Sequence, residues 1–199
     1  MANFEAITIN KLKRLFVATM TVVALSIVVA GCVTTKRDPQ LIAALQGIRV
    51  SEVQVQLEPK VVSTVPLMNG LTVDRQAEMV RAALISELKR ELIGYPGGTR
   101  PARLIVTVTH LDLASEQGRV LRSTDSTVEA EVRLEDARTR QLIAFNPKSR
   151  GADIGYKGGG LAIPIAMAVN AATTKSQQHL VEKLAAYFTQ GVKVWLTPQ

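Results

Sequence analysis

Hydrophobic and polar residues alternate from Glu52 to Glu58 within Val50-Ser51-Glu52-Val53-Gln54-Val55-Gln56-Leu57-Glu58, and that period of two predicts a half-buried strand. From Thr72 to Leu92 the period changes. Ala77, Val80, Leu84, Leu88 and Leu92 recur three or four residues apart, which predicts an amphipathic helix. Thr72 or Asp74 caps its start, Gly94 stops it, and Pro96 follows. Tyr95 to Pro101 is a loop. Arg103 to Leu113 is β-branched and almost continuously apolar, which predicts a central strand covered on both faces.

A polar connection over residues 114–123 leads to a third strand, Ser126 to Glu135. Val128, Ala130, Val132 and Leu134 point inward there, and Glu129, Glu131, Arg133 and Glu135 face water. Asp136 to Arg140 makes a tight turn, and Gln141 to Phe145 returns as the last strand. After Pro147 comes a glycine-rich loop over 151–160, then a long helix from about Pro164 to Lys193. Ala168, Ala171, Ala172, Leu180, Leu184, Phe188 and Val192 mark its apolar side. The order β-α-β-β-β-α predicts an α+β fold, with a mixed, largely antiparallel four-stranded sheet and two helices on one face.

The first residues follow a different logic. Lys11, Lys13 and Arg14 precede an uncharged apolar run from Leu15 to Ala30, the layout of a secretory signal peptide. The same run is close to the length of an uncleaved membrane anchor, and its ending decides between the two. Val29-Ala30-Gly31-Cys32 places small residues directly before the single cysteine. This resembles the lipobox of bacterial lipoproteins, which implies cleavage between Gly31 and Cys32 and acylation of Cys32. Several acyl chains, each worth about 0.8 kcal/mol per buried CH₂, make a stable anchor. Val33, where inner-membrane lipoproteins carry Asp, implies sorting to the outer membrane of a Gram-negative bacterium, on its periplasmic face. The division expected is a signal peptide over 1–31, a lipidated polar tether over 32–47 and a periplasmic α+β domain over 48–199.

With 199 residues, 47% hydrophobic and 21% charged, the chain has a globular composition. One cysteine excludes an intramolecular disulfide framework. The net charge of +7 falls to +5 once Lys11, Lys13, Arg14 and Glu5 leave with the signal peptide. It is spread along the chain, with no basic stripe and interleaved aromatics, so nucleic acid is not an expected partner.

Catalytic chemistry finds no foothold. His110 and Asp112 lie two apart in a predicted strand and read as structural, while His179 lies among Gln177, Gln178 and Glu182 on a polar helix side. No serine sits in a GxSxG elbow, and two histidines with one cysteine offer no metal set. The 151–160 loop precedes a helix, which is where anions bind, but Lys157 is followed by Gly158 and not by the Ser or Thr of a P-loop. It reads as a flexible connection or a contact surface, with Gly151, Tyr156, Gly158, Gly159, Gly160, Leu161 and Ile163 as candidate contact residues. Leu161 to Val169, too short to span a bilayer, reads as a buried helix start.

The succession of elements, the Leu134-Glu135-Asp136 strand end and the glycine loop together resemble a group of envelope lipoproteins. The group includes the curli secretion lipoprotein CsgG and the penicillin-binding-protein activator LpoB. Its usual turn glycine is replaced here by Thr139-Arg140. The resemblance implies non-enzymatic scaffolding or assembly work in the envelope, without cofactor or metal. The expected partners are the membrane through the lipid anchor, an envelope protein or polymer, and a second copy as a candidate homo-oligomer. An alternative is a lipid- or polysaccharide-handling accessory with an apolar groove near Leu161–Val169.

Overall fold

A computed structural model describes residues 38–62 and 72–198. Gly31, Cys32 and the signal-peptide reading lie outside the described residues. The described chain runs α1 (Pro39–Leu45), β1 (Ile48–Val62), α2 (Val73–Leu92), β2 (Arg100–Asp112), α3 (Glu116–Arg122), β3 (Ser126–Asp136), β4 (Leu142–Asp153), α4 (Ile163–Thr173) and α5 (Gln177–Leu196), with a 3₁₀ turn at Gly160–Ala162. The four strands form one sheet in the order β1-β2-β3-β4. β1 pairs parallel to β2, while β2 with β3 and β3 with β4 are antiparallel. A parallel pair needs a crossover, and α2 supplies it.

One sheet face carries Val50, Val53, Leu104, Val106, Val108, Val128, Val132 and Leu134, all buried. The α2 stripe Val80, Leu84, Leu88, Leu92 and the α5 stripe Leu180, Leu184, Phe188, Val192, Leu196 are buried with them. The expected α+β sandwich is therefore present. Its caps follow local chemistry: Thr72 accepts from the Arg75 N–H at 3.2 Å, and Ser176 accepts from the His179 N–H at 3.1 Å.

The same pairing fixes the two ends of the sheet. β1, β2 and β4 run one way and β3 the other, so the carboxyl ends of β1, β2 and β4 share a far end with the start of β3. Residues 113–125 and 154–176 connect elements there. Residues 38–47, 93–99 and 137–141 lie at the near end. Thirteen residues of β2 separate the ends by about 40 Å at roughly 3.3 Å per residue.

Five expectations need correction. The span read as tether includes α1, whose Leu41 and Leu45 pack on the core. β2 is covered on one face only. On the other face Arg103, Thr107 and Thr109 stay half-exposed, and Ile105 alone is buried there. Nor does β3 turn a wholly wet face outward: Glu135 is buried at 7% exposure, 2.9 Å from the Arg103 guanidinium.

The fourth correction concerns β4, which does not end at Phe145 but runs to Asp153. Pro147 is accommodated on this edge strand, where the register with β3 shifts between Ala130 and Val132. Finally, the long helix is two. Thr174 leaves the helical region at φ −107° and ψ 98°, and Ser176 caps a new helix. In the Asp136 turn, the Asp136 carboxylate accepts from the Arg138 and Thr139 N–H groups. Arg140 takes the left-handed φ of 63° that a glycine takes without strain.

Candidate functional site

Most of the sequence-derived contact residues gather at the far end, and the connections there are tightly built. Ser115 caps α3 by accepting from the Gly118 N–H at 3.0 Å, which sets Arg119 facing the start of β3 and the end of β4. Arg119 is 2% exposed. Its Nη2 donates to the Asp153 carbonyl and to Asp153 Oδ2, both at 2.8 Å, and to Ser126 Oγ at 3.3 Å. Lys183 of α5 reaches the other Asp153 oxygen at 2.9 Å. Two cations, the buried Arg119 and the part-exposed Lys183, share one buried carboxylate. Arg119 Nε is left without a hydrogen-bond partner.

Beside this cluster the chain from Ile154 to Lys157 is clamped. Asn170 of α4, 2% exposed, accepts from the Tyr156 N–H at 2.8 Å through Oδ1 and donates to the Tyr156 carbonyl at 2.9 Å through Nδ2. Ser123 caps α3 at φ 52° and donates its hydroxyl to the same carbonyl. Asp125 accepts from the Gly155 N–H at 3.0 Å and from Lys157 Nζ at 2.8 Å. Burial pushes the Asp125 carboxyl up, but the Lys157 and Gly155 hydrogen bonds, with the Lys157 charge, outweigh it and hold the group below its ordinary value.

This stretch is therefore held in place and is not a flexible connection. The N–H groups of Gly155 and Tyr156 are already taken, which removes them from any phosphate cradle. Gly151 leaves the contact set altogether. It lies inside β4 and is buried, where a Cβ would stand 2.7 Å from Phe188 Cβ. Gly158 is also a packing glycine, since a Cβ there would meet the Ala162 carbonyl oxygen at 2.5 Å.

The remaining candidates are exposed. Leu161 is 98% exposed, Ile165 60% and Ile163 48%. The expectation of a buried helix start fails, because α4 turns inward through Ala166 and Asn170 alone. Ala168, Ala171 and Ala172, read as the apolar side packed inward, are exposed as well. Between α4 and the end of β4 lies a cleft of about 730 Å³, floored by Arg119, Asp153 and Lys183 and walled by Tyr156, Val169 and Tyr187. The sequence reading missed Arg119, Asp153, Asn170, Lys183 and Tyr187. Arg119 and Asp153 are 34 residues apart and follow no motif. A lone Asn inside an apolar helix was the one local signal.

Other polar groups assemble less. His110 Nε2 lies 3.0 Å from Asp112 Oδ2 at the end of β2, a half-exposed pair. His179 lines a second groove between α2 and α5, where Glu78 pairs with Arg81 and Glu87 with Arg90 along α2. Among the described residues, no group of three or more His, Cys, Asp or Glu side chains could hold a metal ion. Among them, too, no helix is long and apolar enough to cross a membrane.

No protein family model matches the chain, and no curated protein matches it. Among solved structures, a candidate lipoprotein from Caulobacter crescentus CB15 is similar over 78% of this chain and 91% of its own, at 14% identity and a TM-score of 0.34. Protein XCC0632 from Xanthomonas campestris, of family DUF330, is similar over 74% of this chain and 86% of its own, at 11% identity and a TM-score of 0.30. Lipoprotein GNA1162 from Neisseria meningitidis is similar over 63% of this chain and 95% of its own, at 14% identity and a TM-score of 0.25.

Proposed function

We propose that this protein is a lipid-anchored component of the bacterial envelope, acylated at Cys32 and held on the periplasmic face of the outer membrane, and that it works by binding through its far end. One observation carries the binding reading. The 3₁₀ turn and the start of α4 present Leu161, Ile163 and Ile165 to solvent, while Asn170 and Ala166 fix α4 to the fold. Several large apolar side chains exposed close together on a rigid support are the mark of an interaction site. The rival reading of an apolar groove finds less support, because the neighbouring cleft has a charged floor of Arg119, Asp153 and Lys183.

The anchor is tested by metabolic labelling with an alkynyl fatty acid, which should tag the wild type and not Cys32→Ser. The surface is tested by placing a photo-crosslinking residue at Leu161 and, as a control, at Leu142, which is 54% exposed at the near end. Leu161 should crosslink within the envelope and Leu142 should not. His110→Ala and Asp112→Ala should keep the cellular role, whereas Leu161→Asp with Ile163→Asp should lose it. Loss in the folded histidine variant with retention in the α4 variant would turn the reading toward catalysis.

A further inference from the structure

We infer that the exposed face of α4 seats on the surface of an anionic lipid bilayer. This rests on the reading of α4 as a contact surface and names its occupant. From Gly158 to Thr174 the chain carries no charged residue, and the first charges on either side, Lys157 and Lys175, are both basic. Across the whole connection 154–176 there is no carboxylate.

Within that stretch Leu161, Ile165, Ala168 and Ala172 recur at helical spacing on the face turned away from Ala166 and Asn170, and all four are exposed. Eleven residues make a helix of about 16 Å, too short to cross a bilayer and suited to lying along its headgroup boundary. Tyr156 and Tyr187, 53% and 52% exposed, stand beside it at the cleft. Tyrosine, with an apolar ring and a polar tip, concentrates at membrane–water boundaries.

The charges facing α4 agree with this assignment. Segment 116–125 carries Glu116, Arg119, Arg122 and Asp125, and the cleft beside α4 adds Asp153 and Lys183, with no net charge among the six. Glu116 accepts from the Gln177 N–H, and Asp125 holds Lys157. Lysine is depleted at protein–protein interfaces, whereas an anionic lipid surface attracts it. Segment 158–174 carries no carboxylate of its own, Lys175 follows it and Lys157, paired with Asp125, precedes it, a pattern that matches an anionic lipid surface better than another protein.

The test uses the full chain in a Cys32→Ala background, with an environment-sensitive fluorophore on Leu161→Cys or, as a control, on Leu142→Cys. Mixed phosphatidylcholine–phosphatidylglycerol vesicles carrying a nitroxide-labelled lipid supply the bilayer. Any insertion of the leader is common to both probes, so only their difference counts. The Leu161 probe should shift to the blue and be quenched several-fold more than the Leu142 probe. Lys157→Gln with Lys175→Gln should reduce that quenching on mixed vesicles and leave pure phosphatidylcholine unchanged.

A Leu161 probe that stays aqueous overturns the assignment. So does a blue shift that appears without vesicles and grows with protein concentration, which would mark a second copy as the occupant. If the Leu161 probe stays aqueous while the crosslink in the envelope persists, the bilayer assignment falls and the contact-surface reading stands. If both are lost, both fall.

Discussion

Replacing Gly151 by alanine should destabilise the fold although it adds one methyl group and no charge. Gly151 lies where β4 meets α5, and a Cβ there would sit 2.7 Å from Phe188 Cβ and 2.8 Å from the Phe188 Cα and N. Ordinary carbon contacts lie at about 3.5–4.0 Å, so α5 must retreat by roughly 1 Å. Phe188 is fully buried and its backbone belongs to the middle of a twenty-residue helix, so no flexible side chain can absorb the overlap. Overpacking of this kind costs about 1–3 kcal/mol.

Gly→Ala also narrows the unfolded ensemble, a stabilising effect of about 0.4–1 kcal/mol where the backbone suits alanine. Gly159→Ala isolates that effect, because φ is −117° and nothing lies within 4 Å of its added Cβ. The comparison is made by thermal unfolding of both variants followed by circular dichroism. For a domain of this size about 2–4 °C accompanies each kcal/mol, so Gly151→Ala should melt roughly 2–12 °C below Gly159→Ala. Equal melting temperatures would refute the close approach of α5 to β4.

Leu84→Ala, at a fully buried site, should cost about 2–5 kcal/mol in urea unfolding, and exposed Lys89→Ala within about 0.5 kcal/mol; equal losses would mean the helix face is misassigned. Asp153→Asn leaves Arg119 and Lys183 without their anion, and breaking a buried pair of this kind should cost about 3–5 kcal/mol. For Asp125, whose folded-state carboxyl lies below its ordinary value of 3.8, the stabilising contribution is present above that value and is lost as pH falls through the lower folded one. Wild type and Asp125→Asn should therefore differ by a constant amount near neutrality and converge on acidification, read by hydrogen exchange at Gly155.

Periodicity carried the reading wherever local pattern and burial coincide. Val80, Leu84 and Leu88 on α2, the alternation of β3, and Leu180, Leu184 and Phe188 on α5 all lie where their spacing predicts. It failed where long-range packing decides. Pro147 looks like a strand stop, but β4 is an edge strand and passes through it at a bulge. Apolar residues resume at Leu180 at helical spacing, so the polar run from Thr173 to His179 reads as a wet turn of one helix, and the N-cap chemistry of Ser176 marks the break. The small apolar stretch from Leu161 reads as core, because apolarity reports a preference for burial and not whether a partner element exists to provide it. The Arg119–Asp153–Lys183 cluster draws on three elements and leaves no trace in local sequence.

The two edge strands have a consequence for how copies coexist. Under the proposed lipid anchor, copies would be confined to two dimensions and would meet their neighbours side by side far more often than in free solution. A bare strand in that setting is a template for joining sheets, a route to fibrils. Here the β4 rim lacks a donor at Pro147 and carries Lys148 and Arg150 around its bulge. The β1 strand shifts register at Ser51 and carries Pro59 near its end. Lateral collisions would therefore meet interrupted, charged borders, which oppose joining of sheets through the backbone.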